Sequence, residues 1–402
     1  MPDCRLCQHA VELRLDFGPQ PLCNRFLREP TAAEVRHPLR LGQCPRCGVL
    51  QLVEPLPAAV LKPPRPMLYN EPESHLDEVA DRIETLPGIS RDARFCGLTY
   101  KEASLIARLR QRGYCNAVSL DVREDLGILD AAAGIETIQQ QISTGVLSRL
   151  AQHQGRYQVV VARHLLEHAH DPRSCVVGLQ GLLAADGYLI FEVPDFTGSL
   201  ERWNYSTIWE EHLTYFTKTT FPAALPRLGL AVRDLLIHPS ALEDLLVGVT
   251  QVAAQKQDKA FDASVSAELV RGCRYASMLP KIREAWREML VGERRTGRDV
   301  ALLGAGHLAI MFLNLLELAP FVDFIIDDDS AKTGCHLPGS HLPVYSSDVL
   351  YDRDVSLCLM SVAPESQSKV MVRHRRFLER EGKLVSIFAP PLGSERHHHG
   401  LH

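Results

Sequence analysis

Two cysteine pairs, Cys4-x2-Cys7 and Cys44-x2-Cys47, carry the most specific chemistry in the sequence. Each pair can present two thiolates to one ion, and together they supply the four soft ligands of a tetrahedral zinc site. Gly48, directly after the second pair, lets the backbone turn back beneath the metal. Four thiolates close the coordination shell and leave no position for a substrate, so the expected zinc is structural. The other seven of the eleven cysteines (Cys23, Cys96, Cys115, Cys175, Cys273, Cys335, Cys358) show no framework spacing, which favours reduced thiols over a disulfide scaffold. Two further groups of reactive side chains stand apart from the cysteines. Arg163, His164, Glu167 and His168 follow the apolar run Gln158-Val-Val-Val-Ala162, and Glu210-Glu211-His212 precede Tyr215.

The elements that must position these residues read as α/β. An amphipathic helix is expected over 74–86, a strand over 94–98, a helix over 102–112 and a strand over 116–121. A helix at 144–153, a strand at 158–162, a helix at 173–184 and a strand at 187–193 continue the alternation of a doubly wound, mostly parallel sheet. Ligands of such sheets sit beyond the carboxyl ends of the strands, which is where residues 162–168 fall. A helical stretch over 257–295 leads to a third unit: strand 299–303, a turn at Gly304-Ala-Gly306, helix 307–318, and strand 322–326 ending in Asp327-Asp328-Asp329. That is the first half of a Rossmann-like fold. Three domains are expected: a zinc module at 1–60, a doubly wound domain at 61–255 and a Rossmann-like domain at 256–395. A chain of 402 residues has room for them. The net charge of −5 arises from 44 basic and 49 acidic residues without long runs, so nothing offers a nucleic-acid surface. No apolar run is long enough to span a bilayer and no secretory signal opens the chain, so a soluble cytoplasmic protein is expected.

The order of these features gives the chain a family likeness. The segment Tyr157 to Asp171-Pro172, with its Leu-Glu167-His168 and the later Leu182-Leu-Ala-Ala-Asp186-Gly187, resembles the central half of class I S-adenosylmethionine methyltransferases. Adding the cysteine pairs, the Glu211-His212-Leu-Thr-Tyr215-Phe216 segment and the terminal Gly-x-Gly domain, the whole chain resembles the three-domain sugar C-methyltransferases. The resemblance implies S-adenosylmethionine as cofactor, a nucleotide-linked 4-keto deoxysugar as substrate, and removal of the C3 proton to give an enolate. It implies His212 as general base, Glu211 as its carboxylate partner, and His168 and Tyr69 at the sugar site. For the cofactor it implies Gly97, Thr99, Asp121 and His164, with Asp121 as acceptor for the ribose hydroxyls.

Two positions depart from the family. Trp209 stands where the family has a tyrosine, and an indole N–H can donate but cannot take up a proton; Tyr215 and Tyr69 are the candidate replacements. The cofactor loop reads Gly97-Leu-Thr99-Tyr-Lys101-Glu102-Ala-Ser104, without the Gly-x-x-x-Gly-like turn over the methionine moiety. Two alternatives to methyl transfer therefore stay open: a scaffold that binds a sugar nucleotide, or an enzyme using the same enolate for epimerisation.

Overall fold

The structure is a computed structural model that describes residues 2–62, 73–129, 138–139, 142, 144–254 and 263–392. Tyr69 lies outside the described residues. The chain divides into two units: Met1–Asp16, Leu39–Thr197 and Glu210–Val270 form the first, and Phe17–Pro38, Gly198–Trp209 and Arg271–His402 the second.

The zinc module is built on β1 (Glu12–Pro21), β2 (Arg36–Gln43) and β3 (Leu50–Leu52). The sequence suggests only short hairpin-like segments, Val11–Leu15 and Leu39–Leu41; the strands are longer because the alternation of buried and exposed side chains continues past Leu15 on β1 and begins before Leu39 on β2. The sheet does not stop at β3. A distant strand, Thr214–Tyr215, joins its edge with Leu50 opposite Tyr215 and Gln51 opposite Thr214.

The central sheet comprises β4 (Phe95–Gly97), β5 (Ala117–Ser119), β6 (Tyr157–Arg163), β7 (Leu183–Pro194), β9 (Leu230–His238) and β10 (Leu245–Val252), with Thr214–Tyr215 counted as β8. Its order is β5-β4-β6-β7-β10-β9, parallel from β5 to β7, with β10 antiparallel to both its neighbours. β6 is buried along nearly its whole length, as an unbroken apolar run between two helical layers must be. Helices α1 (Leu76–Glu84), α2 (Ala103–Gln111), α3 (Thr144–Gln154), α4 (Pro172–Gln180) and α5 (Thr220–Arg227) accompany the sheet. Asp171 starts α4 by accepting from the Ser174 amide at 3.0 Å, with Pro172 in the first turn. The helix was expected to reach 184 but ends at Gln180, because the Tyr157 amide donates to Leu182 O at 2.9 Å and pulls the following residues into β7. Gly187 allows the bend that follows: a Cβ there would lie 3.1 Å from three carbonyl oxygens. Sheet order reverses between β4 and β6, which makes their carboxyl ends the ligand crevice of this fold.

The second unit holds the parallel sheet β13-β12-β11-β14-β15, from β11 (Asp299–Leu303), β12 (Phe324–Ile326), β13 (Val344–Tyr345), β14 (Val355–Met360) and β15 (Lys383–Ser386). The long helix α6 (Ala263–Arg294) precedes it in the chain, and α7 (His307–Leu315) follows the glycine turn. Gly304 sits at φ +100°, a conformation side chains rarely adopt. The first acid after β12 is used internally: Asp327 accepts from the Ala305 amide at 2.8 Å and pairs with Lys332 at 3.0 Å.

Candidate functional site

In the zinc module Cys4, Cys7, Cys44 and Cys47 converge. The Cys4 and Cys47 sulfurs are 3.6 Å apart, and those of Cys7 and Cys44 are 3.5 Å apart. Zinc–sulfur bonds of about 2.3 Å in a tetrahedron require sulfurs separated by roughly 3.8 Å, so the cluster fits zinc with little adjustment. The turns beneath it differ. Gly48 takes φ +77° and donates to Cys44 O at 2.9 Å, whereas the matching turn after Cys7 places a non-glycine residue, Gln8, at φ +59°, donating to Cys4 O at 2.8 Å. Their mutual hydrogen bonds draw the Cys7 and Cys44 thiols below the ordinary cysteine value and push those of Cys4 and Cys47 above it, so the four share their protons as a set.

Around the crevice of the central sheet the backbone does the positioning. β6 ends at Arg163, His164 turns into the left-handed region at φ +49°, and a short 3-10 helix, Leu166–His168, brings Glu167 and His168 into the core. The Leu213 amide then donates to Glu167 O at 2.8 Å, which seats His212 beside His168. The two imidazoles meet edge to face with centroids 4.8 Å apart, and the Tyr215 ring is 6.2 Å from that of His212. A Glu167 carboxylate oxygen and one ring nitrogen from each histidine lie within 4.8 Å of one another.

Glu167, which the sequence places among the reactive side chains without a role of its own, joins the two histidines. Glu211 is buried but does not belong to this trio. Trp209 belongs to the second unit, where its indole stacks on His307 with centroids 4.3 Å apart and planes 20° from parallel. Nearby in that unit Tyr205 and Tyr275 stack and donate to each other's backbone neighbourhood, Tyr205 to Tyr275 O at 2.7 Å and Tyr275 to Asn204 O at 2.8 Å.

The residues assigned to the cofactor divide. Asp121 lies just beyond β5, exposed, with Oδ1 accepting from the Arg123 and Glu124 amides at 2.8 and 2.9 Å. Those bonds hold its pKa below the ordinary aspartate value, so it is an ionised acceptor with Oδ2 still able to take ribose hydroxyls. Gly97 and Thr99 are engaged otherwise. Thr99 and Glu102 form a capping box: the Glu102 carboxylate accepts from the Thr99 amide at 2.6 Å, the Thr99 hydroxyl at 2.9 Å and, across the crevice, the Arg163 amide at 2.6 Å. A Cβ on Gly97 would meet Glu102 Cβ at 2.5 Å. Glu102 thus occupies the Thr99 and Arg163 amides at the carboxyl ends of β4 and β6. Burial pushes its pKa up, against the pull of those hydrogen bonds. The His164 ring spans two carboxylates, Glu167 at 3.2 Å and Glu192 at 3.3 Å. The ribose side of the crevice fits the cofactor, while the amino-acid side is filled by the protein's own carboxylate.

A parallel sheet with an antiparallel strand inserted next to its last position and an acid after the second strand is the class I methyltransferase architecture. Three family models match the chain in succession: a zinc binding domain over residues 4–61, a methyltransferase domain over 59–235 and a C-methyltransferase C-terminal domain over 249–389. The chain is 25% identical over 409 residues to the C-methyltransferase NovU of Streptomyces niveus, covering 97% of this chain and 96% of that one. The chain thus carries in succession a zinc binding domain, a methyltransferase domain and a C-methyltransferase C-terminal domain, and it is a methyltransferase; zinc and S-adenosylmethionine are the groups that go with its domains. Among solved structures it is similar to a Burkholderia thailandensis 1,6-didemethyltoxoflavin-N1-methyltransferase (14% identity, 45% of this chain and 79% of that one, TM-score 0.31). It is also similar to a Synechocystis magnesium protoporphyrin IX methyltransferase (13% identity, 45% and 83%, TM-score 0.28). Among the described residues no helix is long and apolar enough to cross a membrane.

Proposed function

We propose that the chain is an S-adenosylmethionine-dependent C-methyltransferase that acts on a nucleotide-linked keto deoxysugar through an enolate, in the cytoplasm where reduced thiols and both small molecules coexist. The observation that carries this reading is the His168–His212 pair at the carboxyl end of β6, with Tyr215 behind it. A proton alpha to a ketone leaves near neutral pH only when a base is in reach and the developing oxyanion meets a donor. His212 is the more accessible of the two imidazoles and takes the proton; His168, buried at its edge, binds the sugar. Glu211 precedes His212 as its assisting carboxylate, and the Tyr215 hydroxyl takes the donor role that the Trp209 indole cannot fill. Asp121 holds the ribose of the cofactor, which when bound supplies the methyl group to the nucleophilic carbon. Gly97, Thr99 and His164 border that site, and the Thr99–Glu102 turn opens to admit the amino-acid end.

The test is incubation with S-adenosylmethionine and a panel of 4-keto deoxysugar nucleotides. A gain of one methyl group on a ring carbon supports the reading; methylation at oxygen or nitrogen only overturns it. In deuterium oxide without methyl donor, the wild type should exchange the alpha proton and His212→Asn should not. One observation favours a second reading, enolate chemistry such as epimerisation without methyl transfer: the closed Glu102 turn. Exchange and epimerisation with no methyl transfer, in a protein that does not bind S-adenosylmethionine, would select it.

A further inference from the structure

His212 is half-buried at the crevice, and a line of side chains leads away from it past Glu167. Glu167 is 1% exposed, and its Oε2 has no hydrogen-bond partner among the described residues. Its other oxygen meets His164 Nδ1 at 3.2 Å. The opposite ring nitrogen, His164 Nε2, lies 3.3 Å from Glu192 Oε1, and Glu192 Oε2 is 2.9 Å from His75 Nε2. His75 stands at the start of α1 with its ring 5.1 Å from that of His238, whose Nδ1 is 3.1 Å from Glu78, a side chain 75% exposed. All six residues belong to the first unit.

The backbone is bent to make this alignment. His164 holds φ +49°, a region that non-glycine residues seldom occupy and that persists where the surrounding structure fixes it. Its amide is tied to Glu192 O at 2.9 Å, so the strand next door fixes the ring between the two carboxylates. Although burial opposes it, hydrogen bonds from His164 and His75 and the charge of Arg163, 2.8 Å away, keep Glu192 ionised.

We propose that Glu167, His164, Glu192 and His75 form a relay that carries the substrate's alpha proton from His212 to solvent beside Glu78. The proposal rests on the enolate reading above. The substrate C–H bond breaks, its electron pair enters the enolate, and the proton goes to His212. His212 passes a proton to Glu167, and Glu167 passes one to His164 Nδ1 as His164 releases its Nε2 proton to Glu192. Glu192 then hands a proton to His75 and water takes one from there. One proton enters, one leaves, no electron changes carrier and no co-reactant is consumed. These are positioning and relay residues; only His212 touches the substrate carbon's proton.

The experiment uses the full-length zinc-loaded protein and a 4-keto deoxysugar nucleotide carrying deuterium at the alpha carbon, in ordinary water. Two rates are read: washout of deuterium without S-adenosylmethionine, and methyl transfer with it. With the relay intact the abstracted deuteron escapes. In Glu167→Gln, and separately in His75→Asn, the deuteron stays on His212 and returns to carbon. Washout relative to methyl transfer should then fall on the order of a hundredfold, the low end of what a general acid–base partner contributes. Parallel loss of both rates marks a structural role and overturns the relay, as does an unchanged ratio. Manganese bound stoichiometrically in the wild type and lost in Glu167→Gln, read by electron paramagnetic resonance, would make the Glu167–His168–His212 trio a metal seat and overturn it too. Absence of washout in the wild type is a different result, since it removes the enolate reading itself.

Discussion

Replacing Arg5 should loosen the strand that carries Tyr215 next to His212, although Arg5 lies between two zinc ligands and far away in sequence. Its guanidinium donates from Nη1 to Leu52 O at 2.9 Å and to Leu213 O at 3.1 Å, bridging the zinc module's edge strand to the segment behind His212. Burial lowers its pKa to about 10, still well above neutral, so the donor is charged. A hydrogen bond from a charged donor contributes about 1.5–3 kcal/mol, and Arg5 is only partly buried, so the low end applies to each: about 3 kcal/mol for both. At 1.4 kcal/mol per factor of ten, Arg5→Gln should shift the opening equilibrium of this strand on the order of a hundredfold. The assay is native-state amide exchange at Leu213, which donates to Glu167 O, and at Leu52, which donates to Leu213 O. Both should lose protection by up to that factor, while Val160 and Val161 in the core of β6 hold theirs and zinc stays at one per chain. Unaltered protection at Leu213 and Leu52, with zinc retained, would refute the idea that the zinc module holds the catalytic strand in place.

Elemental analysis should find one zinc per chain, lost in Cys44→Ser; because Cys47 leads into β3 and β3 pairs with β8, zinc removal should deprotect Leu213 as well as the first strands. Asp121→Ala should weaken S-adenosylmethionine binding by calorimetry, whereas Glu102→Ala should tighten it, on the order of tenfold if the closed turn is the dominant state; weaker binding in Glu102→Ala would make Glu102 a scaffold rather than a competitor. Glu192 is held well below its ordinary 4.5, so it contributes stability that is complete above that value and lost as pH falls through its folded pKa. Urea unfolding should therefore weaken below about pH 4.5 in the wild type and do so less steeply in Glu192→Gln; equal slopes would exclude Glu192 as a source of acid sensitivity.

Much of the central sheet was legible because burial on both faces leaves a plain trace, as in the Val159-Val-Val161 run of β6. What misled was local: Leu182 and Leu183 suit a helix by composition, but the carbonyl of Leu182 is needed by the Tyr157 amide, a partner no window of neighbouring residues contains. The pairing of β3 with β8 is invisible for the same reason. Two residues, Thr214 and Tyr215, make too short a strand to announce themselves, and their register is set by a module at the other end of the domain. Gln8 shows the converse limit, since a left-handed turn can be built without the glycine that signals it when the amide of that turn is fixed to Cys4 O.

At the crevice, the sequence named the histidines and left what lies between them without a role. Glu167 was hidden inside a familiar run of letters, yet a carboxylate that alternates with buried histidines on a core-facing turn is the kind of residue whose partners decide its role. The cofactor loop carried a readable signal of its own. Thr99-Tyr-Lys-Glu102 is the threonine-x-x-glutamate spacing of a capping box, in which the glutamate returns to the threonine amide. That spacing accounts for the missing glycines: a loop that closes on its own carboxylate has no need of bare backbone to approach a ligand's. On the proposed reading the same geometry predicts an order of events: the amides at Thr99 and Arg163 cannot serve Glu102 and a methionine carboxylate at once, so binding begins at Asp121 and finishes by displacing Glu102.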